Sequence, residues 1–426
     1  MPVSTALPIT PAERLRGRLA LPADKSIAHR ALIFGALSGG PSTIGMRSPG
    51  RDVLSTVECL RTLGVSIEHS GEHYMISGRP SRGGALDCGN SGTTMRLLAG
   101  ATAGMPLAVR LDGDASLRAR PMERVATLLR VVGAEVTTTD GRAPLSIVGR
   151  DGLVRAAHRL PVASAQLLGA AVLAGMVATG ETTIESPGPT RDHTERMLAW
   201  MGVPIHRDGL MTTVTGPARP RAFELTVPGD PSAASAWLVA AALHSDAELT
   251  MIDVGLNPTR LALVGLLQRM GVAIETSVTD VSGPEPVGEI SVRGGSPLHP
   301  VDVSGAEVGE LIDELPLIAI AMASVEGASE VRDASELRVK ETDRIAAVVA
   351  GLAAIGAQVE ERSDGWRVRR GSPRTARIIT YGDHRIAIAF AIAALTGVAS
   401  AVELDDPDCV AVSYPGFWDH LATVQT

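Results

Sequence analysis
Lysine is nearly absent. Of 39 basic residues other than histidine only Lys25 and Lys340 are lysine; every other one is arginine. A chain that uses arginine wherever a positive charge will do, yet keeps lysine twice, marks those places for a compact point charge able to donate a proton. Aromatic residues are also scarce, at 3% of 426 positions, which leaves little for base-stacking platforms. The net charge of −8 opposes non-specific binding to phosphate backbones, so no nucleic-acid partner is expected. Three cysteines, Cys59, Cys88 and Cys409, lie far apart with no C-x-x-C pair. That pattern excludes a thiolate zinc site and suits a reducing, cytoplasmic address. The opening MPVSTALPITPAERLRG lacks the apolar core of a signal peptide, and apolar runs such as Leu315–Val325 are too short to span a bilayer. No glycine immediately precedes either lysine, so there is no P-loop; G-x-S-x-G and H-E-x-x-H are missing too.

What is present is a soluble-protein composition, 45% hydrophobic and 20% charged, on a chain long enough for two domains. A repeat runs along it. LGVSIEH, VGAEVTT, MGVPIHR, MGVAIET and IGAQVEE each end an amphipathic helical pattern with glycine and begin a strand. Their glycines are Gly64, Gly133, Gly202, Gly271 and Gly356; the first four fall 69 residues apart. Glycine just past a helix end predicts a left-handed cap, and a fixed period predicts one unit used repeatedly.

Between these lie six Ala-rich, almost wholly apolar stretches, each opened by polar residues. They are DKSIAHRALIFGALS, NSGTTMRLLAGATAG, SAQLLGAAVLAGMVATG, DPSAASAWLVAAALHS, DELPLIAIAMASVEG and DHRIAIAFAIAALTG. Helices this apolar must be buried on all sides. Six units of two helices and a hairpin, three per domain, fit the length. The domains are expected at 22–226 and at 1–21 plus 227–426, so that the N-terminal strand joins the C-terminal half. Helix N-termini offer free N–H groups and partial positive charge, which suits phosphate or carboxylate. Lys25 and Arg30, Arg96 and Arg385 add full cations at these openings.

Eight segments in order carry a resemblance. LPADKSIAHR, GNSGTTMRL, LDGDASLRARPM, SAQLLGA, TRDHTERML, IDELPLIA, ELRVKETDRI and YGDHRIAIAF resemble the enolpyruvyl transferase family, within it the branch acting on shikimate 3-phosphate. The resemblance implies an α/β fold of two inside-out barrel domains, each three βαβαββ units, with the active site in the interdomain cleft. It implies transfer of the enolpyruvyl group of phosphoenolpyruvate to the 5-hydroxyl of shikimate 3-phosphate. The route is a tetrahedral adduct that loses phosphate, a step toward chorismate and the aromatic amino acids.

By the same resemblance, Ser26 and Arg30 hold the shikimate carboxylate. Ser164, Ala165 and Arg191 hold the 3-phosphate, and Asp313 and Lys340 the ring hydroxyls. Phosphoenolpyruvate is expected to meet Lys25, Asn90, Gly92, Arg120 and Gln166 through its phosphate, and Arg344 and Arg385 through its carboxylate. Lys25 and Gln166 also border the shikimate 3-phosphate site. Asp313 is the expected base, Glu341 or Lys25 the source of the carbon proton, and His384 completes the catalytic set. For Arg344 and Arg385 the plainer alternative is a salt bridge to nearby Asp343 and Asp383. No metal or organic cofactor is needed for this chemistry, and a monomer without membrane partners is expected.

The chain departs from some relatives at Val412, where they carry lysine, at Ala165, Arg191, Glu336 and Leu97. Two rivals remain: the enolpyruvyl transferases of UDP-N-acetylglucosamine, which carry a reactive cysteine where this chain has Ala115, and a non-catalytic phosphate-binding relative. The glycine at position 92 further implies inhibition by glyphosate.

Overall fold
The computed structural model describes residues 8–425; the first seven positions of the 1–21 segment and Thr426 lie outside them. The chain divides into two compact units. One, here the first unit, is Ala23–Pro228 with Val281–Glu285; the second holds the chain up to Pro22, Gly229–Asp280 and Pro286 onward. Each has its own hydrophobic core.

All six apolar stretches are helices. In the first unit they are Lys25–Leu37, Gly92–Ala103 and Ala165–Gly175; in the second, Pro231–Leu243, Leu315–Ser324 and His384–Leu395. Their residues are buried around nearly the whole circumference, as an all-round apolar helix requires. The strands instead bury alternate residues, as Ala143, Leu145 and Ile147 show within Arg142–Val148, and lie outside the helices. Helices inside and sheets outside make each unit an inside-out α/β arrangement. Packing at the middle is close: a Cβ on Gly100 would sit 2.5 Å from the carbonyl oxygen of Ala170, so glycine lets two of the helices touch backbone to backbone.

Four sheets share one topology. Ala108–Asp112 pairs parallel with Gly84–Asp87 and antiparallel with Arg142–Val148, which then pairs with Glu135–Thr139. The sheets built on Ser42–Gly45 and Gly180–Glu185 repeat this order. In the second unit Leu15–Ala20 pairs parallel with Ala247–Gly255, so the N-terminal strand joins the C-terminal half. The two remaining copies are reduced. One is three-stranded with a single parallel bridge from Val303 to Val331; the other has only Thr375–Ile378 beside Ala401–Leu404, with Ile9 bridging Val402. Among the described residues the sixth copy therefore has no hairpin, which matches five periodic glycines rather than six.

Those five glycines all have positive φ, from +83° to +105°. In each, the glycine N–H bonds three residues back and the next N–H bonds five back: Gly64 to Arg61 and Val65 to Leu60 in the first, Gly356 to Ala353 and Ala357 to Leu352 in the last. This is the Schellman closure, which satisfies the carbonyls a helix end leaves open.

One feature leaves no mark in the sequence pattern. The turn between strands Ala273–Asp280 and Val287–Arg293 belongs to the first unit, and Glu285 is buried there with its Oε1 2.8 Å from His193 Nδ1.

Candidate functional site
Each unit gathers polar residues where its three apolar helices begin. Five of the six helices are capped by a side chain that accepts a backbone N–H from the first turn: Asp24, Ser91, Ser164, Asp230 and Asp383. The exception is the Leu315 helix, whose Glu314 points its carboxylate elsewhere.

In the first unit the three openings are stitched together. Arg30 is buried; its Nε donates to Thr194 Oγ1 at 2.8 Å, and its terminal nitrogens reach the carbonyls of Ser26 and Ala165. Burial pulls the Arg30 guanidinium down to about 10, with Glu195 and Asp24 working the other way, so it stays charged at neutral pH. Arg96 donates to Gln166 Oε1 at 2.7 Å, and Gln166 Nε2 donates to Thr93 Oγ1 at 2.8 Å. Arg120 donates to Asn90 Oδ1 at 2.7 Å while Asn90 donates to Asp114. Gly92 lies between these arginines: a Cβ would fall 2.5 Å from one Arg96 nitrogen and 3.4 Å from one of Arg120. Lys25 is three-quarters buried and ion-paired with Asp52, itself buried. Behind Lys25 a chain of hydrogen bonds runs from His29 Nδ1 through Thr56 and Thr94 to Ser91. Burial, then Lys25 and Arg30, hold His29 well below its ordinary value, so its ring is neutral.

In the second unit Arg344 is fully buried among carboxylates. Its Nε and one terminal nitrogen grip both oxygens of Asp383 at 2.8 and 3.2 Å, a bidentate fork. The same terminal nitrogen is 2.6 Å from Glu341 Oε2, and the other is 3.7 Å from Asp313 Oδ1. Burial works against its charge, but Asp383, Glu341 and Asp313 outweigh it and the net shift is upward. Arg385 approaches Glu314 at 3.9 Å; Glu314 accepts from Ser232, and Arg260 donates to both Ser232 and Asp230. Lys340 follows a short 3-10 turn, Ser335–Val339, and is partly buried beside Glu341. His384 opens the last apolar helix and is buried.

The sequence-derived set is thus gathered into two groups. Ser26, Arg30, Asn90, Gly92, Arg120, Ser164, Ala165 and Gln166 share the first unit with Lys25 and Arg191; Asp313, Lys340, Glu341, Arg344, His384 and Arg385 share the second. The alternative partners resolve differently from expectation. Asp383 does bind Arg344, but Asp343 caps its own helix and pairs with Arg338, and Arg385 turns to Glu314. Asp52, Thr194, Ser232, Arg260 and Glu314 were not anticipated. Of these only Asp52 and Glu314 leave a trace, as acids at the starts of helical patterns. No group of three or more His, Cys, Asp or Glu among the described residues is arranged to hold a metal ion, and none of their helices is long and apolar enough to cross a membrane.

Two inside-out α/β units with cations at the helix openings define the enolpyruvyl transferase fold. The structure of the enolpyruvyl transferase NikO from Streptomyces tendae shares it at a TM-score of 0.74 and 19% identity, over 98% of this chain and 96% of that one. More narrowly, the chain belongs to the EPSP synthase (3-phosphoshikimate 1-carboxyvinyltransferase) family, whose model matches residues 9–421. It is 44% identical to the 3-phosphoshikimate 1-carboxyvinyltransferase of Herpetosiphon aurantiacus over 98% of this chain and 99% of the relative. The enzyme of Roseiflexus castenholzii is 46% identical over 97% and 98%. The EPSP synthase structure from Acinetobacter baumannii superposes with a TM-score of 0.85 at 34% identity, covering 98% of both chains. Family membership removes the UDP-N-acetylglucosamine rival; Ala115 begins a short helix capped by Asp114.

Proposed function
We propose that this chain transfers the enolpyruvyl group of phosphoenolpyruvate to the 5-hydroxyl of shikimate 3-phosphate, releasing phosphate, with the residues above in the following roles. Ser26, Arg30, Ser164, Ala165, Gln166 and Arg191 receive shikimate 3-phosphate, since capped helix openings and guanidinium forks suit its carboxylate and phosphate. Lys25, Asn90, Gly92, Arg120 and Gln166 receive the phosphate of phosphoenolpyruvate. Arg385 and Arg344 receive its carboxylate, and Lys340 and Asp313 the ring hydroxyls.

The observation that carries the catalytic assignment is the unequal grip of Arg344 on two carboxylates, 2.6 Å to Glu341 against 3.7 Å to Asp313. Asp313, the carboxylate at the longer distance from Arg344, takes the proton of the attacking hydroxyl. As the C–O bond forms at the enol carbon, the methylene carbon gains a proton and the tetrahedral adduct results. Loss of phosphate with removal of a methyl proton restores the enol ether. Glu341 and Lys25 are the two donors for carbon. Lys25 is held by Asp52 and, as the phosphate arrives, exchanges one anionic partner for another. His384, at the helix opening next to Arg385, completes the set. The cytoplasm and a monomeric state go with this reading.

The test mixes the protein with phosphoenolpyruvate and either shikimate 3-phosphate or UDP-N-acetylglucosamine and follows phosphate release. Release with the first acceptor alone is expected; none with either acceptor overturns the reading in favour of a non-catalytic relative.

A further inference from the structure
Far from the helix openings, the first unit has a pocket at the opposite pole, where its three apolar helices end. It measures 260 Å³ and is lined by Leu37, Ala101, Met105, Leu173, Met176 and Val177, with Arg79 and Arg219 also on its wall. The second unit has a counterpart of 450 Å³ at the same pole, lined by residues such as Leu243, Ala323 and Val398. A tapering bundle of three helices leaves such a space by geometry alone, so a pocket here is not in itself a site. The two differ in charge. The second unit's pocket places Glu326 with Arg370, one charge of each sign. The first unit's pocket has two arginines and no acid in its lining.

Neither arginine is neutralised. Arg219 spends Nε and one terminal nitrogen on the single carbonyl of Ser38, at 3.2 and 2.7 Å, and neither Arg79 nor Arg219 has a carboxylate partner among the described residues. Partial desolvation first, then the like charge of Arg219, disfavours the charged form of Arg79, which is otherwise exposed. Both guanidinium groups are exposed at the mouth of the hollow and have no carboxylate partner among the described residues, so an amphipathic anion could set its carboxylate on these forks and its hydrocarbon tail toward Met105, Met176 and Leu173. The methionines, flexible and polarisable, can mould to such a tail.

We propose that this pole of the first unit is a binding site for a small carboxylate with an apolar tail, distinct from the residues that receive the substrates. At 260 Å³ the hollow falls just below the usual ligand-pocket range, about 300–1,000 Å³, so the ligand is compact, of the order of a medium-chain or single-ring carboxylic acid.

The test uses the full chain labelled with ¹³C at methionine methyls and titrated with octanoate, with shikimate 3-phosphate and phosphoenolpyruvate present in excess. The Met105 and Met176 methyl resonances, assigned through Met105→Leu and Met176→Leu, are expected to shift saturably. Arg79→Ala should weaken octanoate about 10-fold, the loss of one charge-assisted contact. Arg79→Ala with Arg219→Ala should abolish the response, while turnover of both variants stays at the parent value. Octanol should bind at least tenfold more weakly than octanoate. Unmoved methyls at 10-fold molar excess and above, octanol binding as well as octanoate, or undiminished binding by the double variant would each overturn the site. A wrong catalytic assignment would show instead as absent phosphate release with the methyl shifts intact.

Discussion
In the proposed mechanism the chemistry turns on Lys25 and Arg344, and the two are held in opposite ways. Lys25 has the buried acid Asp52 beside it and remains partly open. Replacing it by arginine keeps the charge but swaps a compact donor for a broad fork that Asp52 was not built to orient. Turnover should fall about 10²-fold, the scale on which general acid catalysis and misplacement act; steady-state rates near the parent value would take Lys25 off the catalytic list. Arg344 instead balances Asp383, Glu341 and Asp313 inside the fold. Its removal leaves the buried Asp383 with its helix-cap bond from Arg385 N–H but without the cation that balances it, so Arg344→Ala should cost about 3–5 kcal/mol in urea unfolding. Asp313→Ala should leave stability nearly unchanged yet cut kcat about 10²–10⁴-fold, far more than it weakens shikimate 3-phosphate binding. Gly92→Ala pushes the Arg96 guanidinium away from its place on Gln166. We expect KM for phosphoenolpyruvate to rise about 10-fold, one hydrogen bond's worth, and glyphosate inhibition to weaken in parallel. Kinetics at varied phosphoenolpyruvate will decide it.

At the scale of the element, the periodic glycines are not equivalent. All share a left-handed backbone, but a Cβ on Gly356 would lie 2.0 Å from the carbonyl oxygen of Ser372, whereas one on Gly133 meets nothing within 4 Å. Gly133→Ala should therefore cost only the conformational term, about 1–2 kcal/mol, and Gly356→Ala clearly more because strand and loop must part. Equal midpoints in a denaturant series would contradict this. The same glycines explain why so much of the fold was legible. Helix ends and hairpin starts are written locally, by a glycine and a change of period, and the apolar helices by composition and a capping residue. Pairings between distant residues leave no local trace. Asp52 beside Lys25, Glu314 beside Arg385 and the Glu285 turn against His193 could not be read off any period. The proposed site residues come from motif resemblance alone, and that resemblance carried no sign of Arg344 as the shared partner of three carboxylates. The reduced sixth copy was hidden too, because an absent hairpin is visible only as an absent glycine.

At the scale of the whole molecule, three buried thiols report on two separate cores: Cys59 and Cys88 in the first unit, Cys409 in the second. A hydrogen bond of the Cys88 thiol to Cys59, then burial, pushes Cys88 up, and burial pushes Cys409 up to about 12, so neither reacts at neutral pH until its core opens. Most of the proposed shikimate 3-phosphate contacts lie in the first unit. The ligand should therefore slow labelling of Cys59 and Cys88 by a thiol reagent in moderate urea more than it slows Cys409, because binding stabilises what it touches. Equal slowing at all three would mean that the cores open only together.

The pairing of Leu15–Ala20 with Ala247–Gly255 also sets a timetable for synthesis. The strand is made well before its parallel neighbour, which follows only after the long Ala23–Pro228 stretch of the first unit. At about 5–20 residues per second the wait is on the order of ten seconds or longer. During it the first unit can assemble on its own contiguous stretch, lacking only the Glu285 turn that later buries against His193. The nascent strand meanwhile has an unsatisfied edge, and its arginines, Arg16 and Arg18, are the charges that keep such an edge from pairing with a stranger until Asp246 and Glu289 arrive to meet them.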